Sequence, residues 1–140
     1  MVRAAPTISI VDDDGVVRAA TADLISSLEY NTQTFASGEA FLESGQLART
    51  SCLITDLQMS GLNGLELQSR LVDEGYQIPV IFITAFPTSG ARQRAMSAGA
   101  VAFLSKPFEE ESLLQSLQQL SPEPIYYGAR LEGIRWPWST

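Results

Sequence analysis

Four short apolar runs, each closed by polar residues, set the rhythm of this chain. Thr7-Ile8-Ser9-Ile10-Val11 runs into Asp12-Asp13-Asp14, and Cys52-Leu53-Ile54-Thr55 into Asp56. Pro79-Val80-Ile81-Phe82-Ile83 runs into Thr84, and Val101-Ala102-Phe103-Leu104-Ser105 into Lys106-Pro107. Runs this short, apolar and β-prone predict strands, and the first reads as covered on both faces, as parallel strands are. Tyr30 to Phe35 alternates polar and apolar residues and predicts a further strand, second in chain order. Between the strands the period changes. Val17, Ala20, Leu24 and Leu28 recur at intervals of three and four and predict a helix with Asp14 as its N-cap. Gly38 to Gln46 predicts a short second helix. Leu65, Leu67, Leu71 and Val72 predict a third, begun after Asn63-Gly64 and ended at Gly75, where positive φ is useful. Thr88 to Ala98 carries Ala91, Ala95 and Ala98 on one side and predicts a thinly anchored fourth helix. Leu113, Leu114, Leu117 and Leu120 mark a fifth, stopped at Ser121-Pro122.

Strict alternation of strand and helix predicts a doubly wound α/β fold, a five-stranded parallel sheet with helices on both faces and right-handed crossovers. The common order for five strands is 2-1-3-4-5, in which ligands bind at the carboxyl edge near the switch point between strands 1 and 3. That order sets Asp12, Asp13 and Asp56 side by side and brings Thr84 and Lys106 in from one flank. Residues 7–120 form the expected domain. Beyond Leu120 the rhythm stops: Pro122 and Pro124 open a tail, residues 121–140, ending Trp136-Pro137-Trp138-Ser139-Thr140. A linker remnant, a docking segment and an appended artefact all fit it.

Composition narrows the chemistry. At 140 residues and 45% hydrophobic, the chain suits one domain with its own core. It has no long apolar run and no signal-like start, so the expectation is a cytoplasmic protein without a membrane span. The net charge of −7 disfavours nucleic acid as a direct partner. Cys52, the single cysteine, reads as a small buried hydrophobe and cannot form an internal disulfide. Histidine is absent, which excludes His-dependent triads and His-rich zinc sites. Lys106 is the one lysine among nine basic residues.

Singly, these polar residues have ordinary explanations: an acidic helix start, a turn, a strand hydroxyl, a surface charge. Together they recur at the ends of four strands, which points to a site. Two carboxylates about 5 Å apart repel by roughly 3 kcal/mol at an effective dielectric near 20, so three of them call for a cation. Oxygen ligands suit Mg²⁺, which keeps several waters and often shares a phosphate. Lys106 is the matching point charge for a phosphate or for a carboxylate. Thr84 and the backbone N–H groups after Asp56 and Thr84 can donate to phosphoryl oxygens. Such an array can stabilise in-line phosphoryl transfer to a carboxylate.

In this order and spacing the motifs resemble those of the bacterial response-regulator receiver domain, of the FixJ-type group, over about Thr7 to Leu120. Val11-Asp12-Asp13-Asp14 is similar to the family's acidic motif, and Asp56-Leu57-Gln58-Met59 with Gly64 to its phosphoacceptor loop. Ile83-Thr84-Ala85 is similar to the switch-hydroxyl segment, and Ala98-Gly99-Ala100 through Lys106-Pro107-Phe108 to the segment bearing the family's lysine. The resemblance implies a CheY-like, flavodoxin-like fold and a phosphorylation switch rather than a dedicated enzyme. It implies that Asp56 accepts a phosphoryl group from a sensor histidine kinase. It further implies Mg²⁺ held by Asp13, Asp56 and the Gln58 backbone carbonyl, with Asp12 acting mainly through water. Thr84, Lys106 and the backbones of Leu57 and Ala85 would hold the phosphoryl oxygens. Phe103 matches the switch aromatic, and helix 4, strand 5 and helix 5 the output surface, where phosphorylation would join two copies.

Three departures stand out. Ser60 occupies the position where the family usually has proline, which predicts a less rigid loop after Asp56. Phe86-Pro87 makes the entrance to helix 4 atypical. No helix-turn-helix output segment follows, so a receiver acting through protein contacts alone stands beside a transcription regulator with an output domain or partner. A Mg²⁺-dependent aspartyl phosphatase of the haloacid-dehalogenase kind would need a second Asp where Gln58 stands. A flavodoxin-like electron carrier would place its flavin phosphate where the Asp triplet repels it.

Overall fold

The computed structural model describes residues 5–120. The tail considered above, 121–140, lies outside them. Strands β1 (Thr7–Val11), β2 (Asn31–Phe35), β3 (Cys52–Asp56), β4 (Val80–Thr84) and β5 (Ala102–Ser105) alternate with helices α1 (Gly15–Ser27), α2 (Gly38–Leu42), α3 (Gly64–Asp73), α4 (Ser89–Ser97) and α5 (Glu110–Gln118). All four strand pairings are parallel, and the order is β2-β1-β3-β4-β5. The fold is the five-stranded doubly wound one expected from the alternation.

The apolar runs become the buried strands. Every residue of β4 is buried, as are Cys52 to Thr55 of β3 and Ile8 to Val11 of β1, while the edge strands β2 and β5 are partly open. Because side chains alternate across a strand, the sheet feeds two cores. One unites Ile8, Ile10, Cys52, Ile54, Ile81 and Ile83 with Ile25 of α1 and Leu113 and Leu117 of α5. The other unites Val11, Leu53 and Phe82 with Phe41 of α2, Leu67 and Leu71 of α3 and Ala95 of α4.

Local signals start the helices. Asp14 caps α1, its Oδ1 accepting the N–H groups of Val16 and Val17 at 3.0 and 3.2 Å. Asn63 and Glu66 form a reciprocal capping box at α3. Thr88 caps α4 through its hydroxyl. Burial differs sharply between helices. The two buried leucines of α3 contribute on the order of 1.5–3 kcal/mol each, whereas α4 buries only the Ala95 methyl, about 0.8 kcal/mol.

Three details of the sequence reading change. Ala20 is exposed; the bulkier Ile25 carries more apolar area and turns the inward face of α1 towards Thr21 and itself. The second helix ends at Leu42 rather than Gln46, and Leu47–Arg49 forms a separate 3-10 turn after Gly45, which has φ +77°. Val72 is 58% exposed, and Gln68 takes the inward position, donating to the Ala95 carbonyl at 3.3 Å. Among the described residues no helix is long and apolar enough to cross a membrane.

Candidate functional site

Side-chain parity decides what meets at the carboxyl edge of the sheet. Asp12 continues the face of Ile8 and Ile10, Asp56 that of Cys52 and Ile54, and Lys106 that of Ala102 and Leu104. Three charged side chains therefore emerge together from the face covered by α1 and α5. Lys106 Nζ lies 2.9 Å from Asp56 Oδ2 and 3.1 Å from Asp12 Oδ2. The Lys106 backbone is fixed as well, its N–H donating to the Thr84 carbonyl at 2.8 Å, and its peptide bond to Pro107 is cis. Burial pulls the Lys106 ammonium down, but hydrogen bonds and attraction from Asp56 and Asp12 outweigh it, so the pKa is raised and the lysine stays charged through neutral pH.

Each carboxylate is oriented by backbone. Asp12, 5% exposed, accepts the Asp14 N–H at 2.9 Å on Oδ1, and its carbonyl accepts from Arg18 Nη1 at 2.7 Å. Asp56 Oδ1 accepts the Gln58 N–H at 3.2 Å. Asp13, on the exposed side of the triplet, accepts the Ser60 N–H at 3.2 Å on Oδ2. One oxygen from each of Asp12, Asp13 and Asp56 falls within 4.8 Å of the others. Three carboxylates face one ammonium, which leaves two formal negative charges in surplus. An all-oxygen donor set with that surplus fits a hard divalent cation such as Mg²⁺ and lacks the nitrogen and sulfur ligands that favour zinc.

The loop that brings Asp56 to this edge closes because Gly64 has no side chain. A Cβ there would run into the Asp56 carbonyl oxygen and stand 3.0 Å from Phe82 Cε1 and 3.1 Å from Leu57 Cα. The Gly64 N–H closes the loop base on the Leu57 carbonyl at 2.9 Å.

Thr84 belongs to the opposite parity. It is fully buried, shares a face with Phe82, and its Oγ1 accepts the Phe86 N–H at 3.1 Å, with no bond to Asp56. Leu57 is buried directly after Asp56, and Ala85 is exposed directly after Thr84. Phe103 sits opposite Phe82 in the sheet register, 7% exposed, with ring centroids 6.1 Å apart. Arg92 of α4 donates to the Phe103 carbonyl at 3.2 Å and stands 6.0 Å from the ring centroid. Asp12, Asp13, Asp56 and Lys106 are thus gathered, while Thr84 and Phe103 flank them on the other face.

Three contacts at this edge are not predicted by the residue pattern. Arg18 lies one helical turn beyond Asp14, a spacing that could have flagged it. Ser60 acts through its backbone, for which only the absence of proline was a signal. Glu39, on α2, accepts the Leu62 N–H at 3.0 Å, and nothing in its local sequence pointed there.

Residues 8–118 match the family described as the response regulator receiver domain. The response regulator protein TmoT of Ectopseudomonas mendocina is 41% identical over 120 residues, which cover 83% of this chain and 54% of that protein. The transcriptional regulatory protein FixJ of Rhizobium meliloti is 36% identical over 115 residues, 82% of this chain and 56% of that one. The chain thus spans about half the length of these relatives. The crystal structure of FixJ-N superposes with a TM-score of 0.78 at 33% identity, covering 90% of this chain and 99% of that one.

Proposed function

This chain belongs to the response regulator receiver domain family, signalling proteins rather than dedicated enzymes, and from that premise we propose that Asp56 accepts a phosphoryl group from a phosphohistidine of a sensor histidine kinase, with Mg²⁺ bound beside it. The observation that carries this reading is the convergence of Asp56 with Asp12, Asp13 and the sole lysine, Lys106, at the carboxyl edge of β1, β3 and β5. An Asp56 carboxylate oxygen attacks phosphorus in line, the P–N bond to the kinase histidine breaks, and an acyl phosphate forms. A bound Mg²⁺, held by Asp13, Asp56 and the Gln58 carbonyl with Asp12 behind a water, would offset charge on the transferring oxygens. The chain's own groups do the rest. Lys106 moves its hydrogen bond from Asp56 Oδ2 to a phosphoryl oxygen. Thr84, whose oxygen accepts from Phe86, has its hydroxyl proton available for another. The backbone N–H groups of Leu57 and Ala85 serve the remaining oxygens.

The readout follows from the light anchoring of α4. When Thr84 turns to the phosphoryl group, Phe103 on the same sheet face can change its packing, and the surface of α4, β5 and α5 changes with it. The recipients of that change are a second copy of this chain and an output domain or partner that regulates transcription in the cytoplasm. With a net charge of −7, residues 1–140 act through protein rather than through DNA. Acetyl phosphate with Mg²⁺, read by intact-protein mass, tests the chemistry. One phosphate should appear on the native chain and none on Asp56→Asn; a stoichiometric gain on that variant removes Asp56 from the role.

A further inference from the structure

The three N–H groups of alternate residues in the loop between β3 and α3 each end on a carboxylate. Gln58 donates to Asp56 Oδ1 at 3.2 Å, Ser60 to Asp13 Oδ2 at 3.2 Å, and Leu62 to Glu39 Oε2 at 3.0 Å. The acceptors come from the end of β3, the loop after β1, and α2. Glu39 is pressed against the loop, since a Cβ on Gly61 would stand 2.8 Å from its Oε2. Of the acidic cluster, Asp12 and Asp56 are each held twice, by a backbone N–H and by Lys106. Asp13 differs. Among the described residues, the Ser60 N–H makes the only hydrogen bond to its side chain.

We propose that the backbone N–H of Ser60 is a positioning donor for Asp13, occupying Oδ2 so that the carboxylate is oriented and its other oxygen is left for the divalent cation. The inference rests on the cation-site reading of Asp12, Asp13 and Asp56 given above. An exposed carboxylate with no such bond samples several rotamers, and a ligand that must first be ordered binds its metal less tightly. Carboxylate ligands are themselves usually hydrogen-bonded, and loss of such a partner typically weakens metal affinity about 10- to 100-fold. The donor exists only because residue 60 is not proline, which has no N–H. The serine side chain has no part in it. Glu39 holds the far end of the loop and so keeps the Ser60 N–H facing Asp13.

The test compares two substitutions at one position in the full chain, with Mg²⁺ affinity read by calorimetry. Ser60→Ala keeps the N–H and should bind within about twofold of the native chain; Ser60→Pro deletes it and should bind about tenfold or more weakly. A folded Ser60→Pro chain, checked by circular dichroism, that binds as well as Ser60→Ala overturns the proposal. The native chain provides a second measurement that does not depend on the proline variant folding. Its Ser60 amide proton should resonate downfield, move upfield in Asp13→Asn without metal, and keep a small temperature coefficient when Mg²⁺ saturates. An amide unmoved by Asp13→Asn, or one released to solvent by Mg²⁺, shows that the N–H does not orient the ligand. A native chain that fails to bind Mg²⁺ at millimolar concentration overturns the cation-site reading itself and this role with it, whereas the amide shift reports the hydrogen bond independently.

Discussion

Asp13 and Asp12 are neighbours in sequence with opposite circumstances. Asp12 is buried and shares Lys106 with Asp56; Asp13 is exposed, with no lysine to offset it. On the proposed cation site, neutralising Asp13 removes one of its three charges while relieving repulsion among carboxylates that approach within 4.8 Å. Asp13→Asn should weaken Mg²⁺ binding by an order of magnitude or more and, in metal-free buffer, raise the thermal midpoint. Titration calorimetry and a melt with chelator check the two halves. The charged cluster was legible from the sequence because each member closes an apolar strand, and strand order then sets them side by side. The split between Thr84 and the rest was not drawn from it. Counting by twos from Ile81 and Phe82 would have placed Thr84 with Phe82, on the opposite face from Asp56. The Ser60 and Glu39 bonds were invisible for another reason: backbone N–H groups carry no residue identity, and loop geometry aims them.

Among the elements, the β3–α3 connection is the most tightly determined. Gly64 stands where its missing Cβ would overlap the Asp56 carbonyl, so Gly64→Ala must push the loop, β3 or Phe82 aside. Overpacking of this kind typically costs about 1–3 kcal/mol. We expect urea unfolding to register that loss, and phosphorylation by acetyl phosphate to slow because Asp56 shifts with its carbonyl. Unchanged stability would mean the loop opens freely. Serine in place of proline at position 60 predicts a looser loop; instead that loop is tied to Asp13, Asp56 and Glu39. Caps such as Asp14 read easily from the sequence, as do the inward Leu67 and Leu71 of α3, though not Gln68, which takes the place expected for Val72. The length of α2 did not, since a helix that buries only Phe41 and Gly38 has little apolar pattern to mark its end.

At the scale of the molecule, the shifted titrations, those of Cys52, Tyr30 and Lys106, all lie on the alkaline side. Burial pushes the Cys52 thiol from 9.0 up to about 12. The unfolded chain therefore gives up this proton first, and stability falls between about pH 9 and pH 12 with a slope approaching 1.4 kcal/mol per pH unit from this group. The Lys106 ammonium has a raised pKa, so its contribution is complete below the ordinary lysine value of 10.5 and is lost as pH climbs through the raised one. Unfolding free energies measured in urea at pH 8, 10 and 11 should fall steeply for the native chain. Cys52→Ala should follow a shallower course from pH 9 and retain the later decline that comes from Tyr30, whose phenol is raised from 10.0 to about 12 by burial, and from Lys106. Parallel curves for the two chains would show that the thiol ionises as readily in the fold as outside it.

The solitary lysine makes this chain a reporter of its own crevice. Its other basic side chains are arginines, so an amine-directed reagent finds one side-chain target, held between two carboxylates and 18% exposed. Acylation needs the neutral amine, which the raised pKa makes scarce. Labelling of Lys106 by an activated ester at neutral pH should therefore be slow in the native chain and quicken when Asp56→Asn removes one partner. The single peptide that carries the label would measure it. A tag attached there would mark the crevice between Asp12 and Asp56, with no cysteine to engineer and no competing lysine to block.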